Sequence, residues 1–112
     1  LSYQRCCRNG SLNNVVDPLE TGTTQWVEVS EFALQEGNST PTFNNWPDVY
    51  ICANQPLVFD HSAVDIDGDS IVYSICTPFA GATEVNNTPQ PPYLPPYQPV
   101  DWLAPYTLQN MM

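Results

Sequence analysis

Proline limits what this chain can build. Twelve of the 112 residues are proline and five are glycine, spread from Gly10 to Pro105. Proline inside a helix removes a hydrogen bond and clashes with the preceding turn. Long helices therefore have little room here. Short runs that suit strands take their place: "YQRCCR", "LNNVV", "TTQWVEV", "DVYICA", "PLVFD" and "SIVYSIC". Turn-forming words separate them: "RNGS", "DPLETG", "EGNSTP", "NNWP", "ANQP" and "DIDGD". Val27 and Val29 alternate with Trp26 and Glu28 in a half-buried pattern. Ile71, Tyr73 and Ile75 share one strand face, and Val72, Ser74 and Cys76 share the other. These spacings predict an all-β sandwich. The one helical expectation is a single turn over "VSEFALQ", with Ser30 as N-cap.

The last part of the chain reads differently. From Thr88, "TPQPPYLPPYQPVDWLAP" holds most of the prolines. Proline has no N–H to give to a ladder, so this stretch is not a central strand. Polyproline II is the expected conformer. The length suits one domain. Residues 1–87 are expected to form the β-sandwich module, incomplete at its start. Residues 88–112 are expected to form a proline-rich extended segment leading to a next module. The opening "LSYQRCCRN" is already strand-like, as in a piece of a longer polypeptide.

The net charge is −10, there is no lysine, and the only arginines are Arg5 and Arg8. Such a surface repels phosphate backbones and anionic lipid, which argues against nucleic acid as a partner. No apolar run approaches the roughly 18–20 residues that a membrane helix needs. Membrane insertion is therefore not expected. Divalent cations are attracted.

Cys6, Cys7, Cys52 and Cys76 lack the CxxC spacing of a zinc site. An even count in an acidic, lysine-free chain points to disulfides and export. Adjacent cysteines on a strand face opposite ways, and a bond between them would close a strained ring. Cys6 and Cys7 are therefore expected to find separate partners, at Cys52 and Cys76 or outside the segment.

"DHSAVDIDGDSIVYSI" places Asp60, Asp65, Asp67 and Asp69 within ten residues. Calcium takes six to eight oxygens, and three carboxylates at i, i+2 and i+4 supply several. Gly68 allows positive φ in their midst. Loop positions six and twelve, counted from Asp65, are Ser70 and Cys76, which excludes an EF-hand. The alternatives are a hydrated Asp-Gly turn and, far behind, a catalytic carboxylate pair. The expectation is a calcium loop of Asp65, Asp67 and Asp69, with Asp60 as a further ligand.

"SAVDIDGDSIVYSI" resembles the signature of bacterial cadherin-like and PKD-like Ig-type repeats. "YQRCCRNGSLNNV", "NSTPTFNNWPDVYICANQPLVFDHSA" and "PPYQPVDW" extend the likeness over most of the chain. Together these words resemble large secreted cell-surface proteins of gliding Bacteroidetes. Such proteins carry PKD-like or Ig-like modules and a gliding-motility-associated, type IX secretion C-terminal domain. The resemblance implies an Ig-like, PKD-like fold, export to the cell surface, and a role in adhesion or in an extracellular filament.

Other words carry less. Asn9, Asn38 and Asn86 head N-glycosylation sequons but serve here as turn residues. "DSI" resembles a short O-glycosylation word of Bacteroidetes and would place sugar on Ser70. Trp26, Trp46, Trp102, Tyr50, Tyr93, Tyr97 and Tyr106 include candidates for a sugar-stacking platform. His61 lies directly between Asp60 and Ser62, and strand neighbours do not converge into a triad. The expected protein is a non-enzymatic, secreted structural or adhesive module, with calcium as its cofactor. Its expected partners are neighbouring modules or subunits of one surface assembly, and surface glycans. The alternatives are a carbohydrate-binding module of a secreted hydrolase and a filament subunit.

Overall fold

The computed structural model describes residues 1–48, 50, 52 and 55–111. It is β-rich with little helix, built from small antiparallel sheets. Two compact units form: Leu1–Glu28 with Ser74–Met112, and Val29–Tyr73. The division thus falls at 28/29 and 73/74 rather than at 87/88. The proline-rich segment belongs to the unit of the first strands.

In the first unit, β1 (Ser2–Arg5) pairs antiparallel with β2 (Thr23–Trp26), with Ser2 opposite Trp26 and Gln4 opposite Thr24. β2 continues outward through a bridge from Thr24 to Phe79, and Phe79 in turn bridges Pro99. The Ala80 N–H donates to Gln98 O at 2.8 Å and the Val100 N–H donates to Pro78 O at 2.9 Å. These bonds flank Pro99, which occupies the one position where the ladder needs no N–H. A second bridge joins Val15 to Trp102, with Val16 donating to Asp101 O and Leu103 to Asn14 O.

The apolar core is small: Cys6, Val15, Ala82 and Val100 are buried, and so is Pro89. Two polar side chains are buried with it. Gln4 is only 2% exposed. Its Nε2 donates to Thr24 Oγ1 (3.2 Å) and Tyr93 O (3.5 Å), and its Oε1 accepts from the Tyr93 N–H (2.7 Å). The Thr24 hydroxyl donates onward to Ala80 O. The Arg8 guanidinium donates to Gly22 O and Phe79 O, and partial burial lowers its pKa. Gly22 and Gly81 are required by close approach. A Cβ at Gly22 would strike the Ala82 backbone, and one at Gly81 would strike the Thr24 hydroxyl.

The cysteines do not pair as the alternation argument predicts. Cys6 and Cys7 are disulfide-bonded to each other, with a cis peptide between them. β1 ends at Arg5, so opposite-facing alternation does not extend to this pair. Cys52 and Cys76 are exposed and free.

In the second unit, α1 (Glu31–Glu36) starts at Ser30, whose hydroxyl accepts from the Ala33 N–H. Gly37 ends it in the left-handed region at φ 69°. β3 (Thr42–Phe43) pairs with β4 (Ala63–Val64). No described side chain of this unit is buried. The runs "PLVFD" and "SIVYSIC" form no strand, because alternation makes a face but a ladder needs a partner. Val58 is 96% exposed and Val72 90%. "DVYICA" lies partly outside the described residues.

Two predictions follow from the first unit. Gln4→Leu strands the Tyr93 N–H and should cost roughly 1–3 kcal/mol in urea unfolding; an unchanged midpoint would show that the buried amide is dispensable. Mass spectrometry after alkylation of denatured, unreduced protein should find label on Cys52 and Cys76 and none on Cys6 or Cys7. Label on Cys6 or Cys7, or none on Cys52 and Cys76, would contradict that pairing.

Candidate functional site

The acidic turn is built on Asp65 and Gly68. The Asp65 Oδ1 accepts the N–H of Asp67 at 2.9 Å and that of Asp69 at 3.4 Å. Gly68, at φ 83°, donates its N–H to Asp65 O. The strained conformation falls on the residue that tolerates it. The other two carboxylates reach across to the segment that follows α1. Asp67 Oδ2 accepts the Ser39 N–H at 2.7 Å, and Asp69 Oδ2 accepts the Asn38 amide at 3.0 Å. Each of the three thus holds an N–H of the protein. Among the described residues no group of three or more metal-ligating side chains is gathered around one point. As placed, the turn is a hydrogen-bonded Asp-Gly turn that clasps the end of α1, and not a preformed cage.

Asp60 organises a separate turn. Its Oδ1 accepts the Ser62 N–H at 2.9 Å, and its Oδ2 accepts the Ser62 hydroxyl and the Asn45 amide, each at 3.0 Å. The Ser62 backbone bond first, then the Ser62 hydroxyl, hold this carboxyl below its ordinary value, with lesser help from Asn45 and His61. His61 packs edge-on against Phe59 (4.6 Å) and Phe43 (6.3 Å). Ser70, the candidate O-glycosylation position, is exposed.

The first unit holds an aromatic cleft. Tyr97 lies 6.2 Å from Trp26 and 5.9 Å from Phe79, with ring planes tilted by 50° and 57°. A cavity of about 160 Å³ opens beside it, lined by Gln4, Gly81, Tyr93, Pro96, Tyr97 and Gln98 among others. The Tyr93 hydroxyl accepts from the Asn86 amide at 3.1 Å. Of the aromatics singled out in the sequence, the structure brings Tyr93 and Tyr97 to this cavity, with Trp26 standing against Tyr97. Trp46 and Tyr50 are each 91% exposed. Trp102 instead bridges Val15, with its indole N–H buried and without a partner among the described residues. Phe79 and Gln4 were missed by sequence reasoning. Only the alternation of "SYQR", which puts Gln4 and Ser2 on one face, carried a signal for either.

No protein-family model, curated protein or solved structure matches the chain.

Asp60 yields a pH prediction. A carboxyl with a lowered folded pKa contributes stability that is present above its unfolded pKa and lost as pH falls through the folded one. NMR titration should place the Asp60 inflection below its ordinary value near 3.8. Asp60→Asn should remove that component of acid sensitivity. An inflection at or above the ordinary value would refute the turn geometry.

Proposed function

We propose that this chain is a non-enzymatic structural and adhesive module of a secreted bacterial surface protein. One observation carries the reading. The second unit has no buried side chain among those described, yet it exposes Trp46, Val58, Ile66 and Val72 almost fully. Apolar surface on that scale marks an interaction face rather than a free-standing domain. The same unit carries Glu31, Glu36, Asp48, Asp60, Asp65, Asp67 and Asp69 and no lysine or arginine. In this reading neighbouring modules or subunits of the same assembly cover the face. The finer fold is an Ig-like or PKD-like β-sandwich, in which the unpaired runs "PLVFD" and "SIVYSIC" acquire partners. The likeness of the "DIDGDS" and "CCRN" words to surface proteins of gliding Bacteroidetes supports export and a place at the cell surface. Among the described residues no helix is long and apolar enough to cross a membrane.

Calcium is part of the proposal. Its support is the charge of −10 and the crowding of Asp65, Asp67 and Asp69. Asp67 and Asp69 accept the Ser39 and Asn38 bonds at Oδ2, so an ion would be ligated through the Oδ1 of each. An ion bound only by the folded loop adds about 2.7 kcal/mol at a hundredfold excess over Kd.

Two measurements test the reading. Antibody raised against the chain should label intact, unpermeabilised source cells; labelling seen only after permeabilisation would end the surface assignment. Chelator-treated protein titrated with calcium should show heat of binding and a raised melting temperature, both largely lost in Asp67→Asn. No heat at millimolar calcium, with an unchanged melting temperature, would remove calcium from the proposal.

A further inference from the structure

We infer that the cleft between β1 and the proline-rich segment binds one ring of a neutral glycan, held between Tyr93 and Tyr97 and hydrogen-bonded by Gln98. This deepens the adhesive reading and rests on it for biological context, because it names what such a module would hold. The chemical argument is local to the first unit.

The cleft is a cavity of about 160 Å³, and no charged side chain lines it. A sugar ring has an apolar C–H face and a rim of hydroxyls. The cleft offers the matching halves: the aromatic rings of Tyr93 and Tyr97 with Pro96, and the amide of Gln98; the Gln4 amide at its base is already bonded to Thr24 and Tyr93. Sites for small ligands are commonly apolar in lining, with a few placed polar groups. Tyrosine supplies a large amphipathic contact at small entropic cost. The absence of a cation in the lining, within a chain of net charge −10, selects against anionic sugars.

The site is also held in shape before any ligand arrives. Pro92, Pro95, Pro96 and Pro99 surround the two tyrosines and fix the backbone that carries them. Tyr97 is braced by Trp26 and Phe79. Tyr93 is held at its N–H by the buried Gln4 and at its hydroxyl by Asn86. Yet Tyr93 remains 45% exposed. Rings fixed this firmly, with Tyr93 about half in water and Tyr97 partly covered, have had their ordering cost met in advance, which favours binding.

The test is calorimetric titration of the purified chain, backed by saturation-transfer NMR. The probes are neutral gluco-, manno- and galacto-oligosaccharides, an oligogalacturonate and a tyrosine-rich peptide. At least one neutral series should bind, with transfer to its ring protons, while the oligogalacturonate and the peptide do not. Tyr97→Ala and Gln98→Ala should each weaken binding by about tenfold, and Tyr97→Phe should keep it. Gln98 is exposed, so its variant decides the matter if Tyr97→Ala fails to fold. No binding of any neutral probe at about 10 mM would overturn the inference. So would a preference for the oligogalacturonate or the peptide, or binding indifferent to Gln98→Ala. Any of these results would leave the surface-labelling test of the adhesive reading untouched.

Discussion

The buried amide of Gln4 is the interaction on which the first unit depends. An amide out of water is costly unless its donors and acceptor are matched. Gln4 meets that demand by bonding the hydroxyl of Thr24 on β2 and both backbone polar groups of Tyr93. One side chain thereby joins three segments, two of them 89 residues apart. Four buried apolar side chains and a proline supply little hydrophobic driving force on their own. The unit depends on directional bonds to specify which strand lies beside which. Arg8 works in the same way, tying Gly22 and Phe79 through their carbonyls.

The proline-rich segment is compatible with this sheet because of where its prolines fall. Pro99 stands opposite Phe79, and the ladder bonds come from Ala80 and Val100 on either side. A shift of one residue would bring Pro99 to a donor position and break the ladder. Proline therefore sets the register here as much as it blocks strand growth. Gly22 and Gly81 serve the same close packing, since a side chain at either would push the Ala80–Ala82 stretch off β2.

What was legible in the sequence was local. The Ser30 cap and the turn of α1 were readable because cap and helix lie within one another's reach in the chain. So were the segments that became β1 and β2, and the turn at Gly68. The partners of Asp67 and Asp69 were not readable, because Ser39 and Asn38 lie 28 and 31 residues away and carry no pattern of their own. The docking of Tyr93 on Gln4 is a still longer contact, made partly by backbone atoms that look alike in every sequence. The Cys6–Cys7 bond was misjudged for a related reason. Strand alternation was carried two residues past the point where β1 ends. For "SIVYSI" the reverse holds: its alternation is clear, but among the described residues no ladder partner turns it into a strand.

The two units solve opposite electrostatic problems. In the first, buried polar atoms must find partners because water cannot reach them, so each bond there is costly to lose. In the second, carboxylates sit in water and need no partner for solvation. They still collect N–H groups, since a chain without lysine offers them few other positive ends. Asp60, Asp65, Asp67 and Asp69 together accept bonds from six residues: Asn38, Ser39, Asn45, Ser62, Asp67 and Asp69. Bonds to an ionised acceptor are stronger than neutral ones, but solvent exposure leaves each worth little by itself. Their use lies in geometry: they set the turns at Asp60 and Gly68 and anchor the exit of α1 with no side chain buried among those described. A unit folded on such bonds keeps its apolar side chains outward, where a neighbouring surface can reach them.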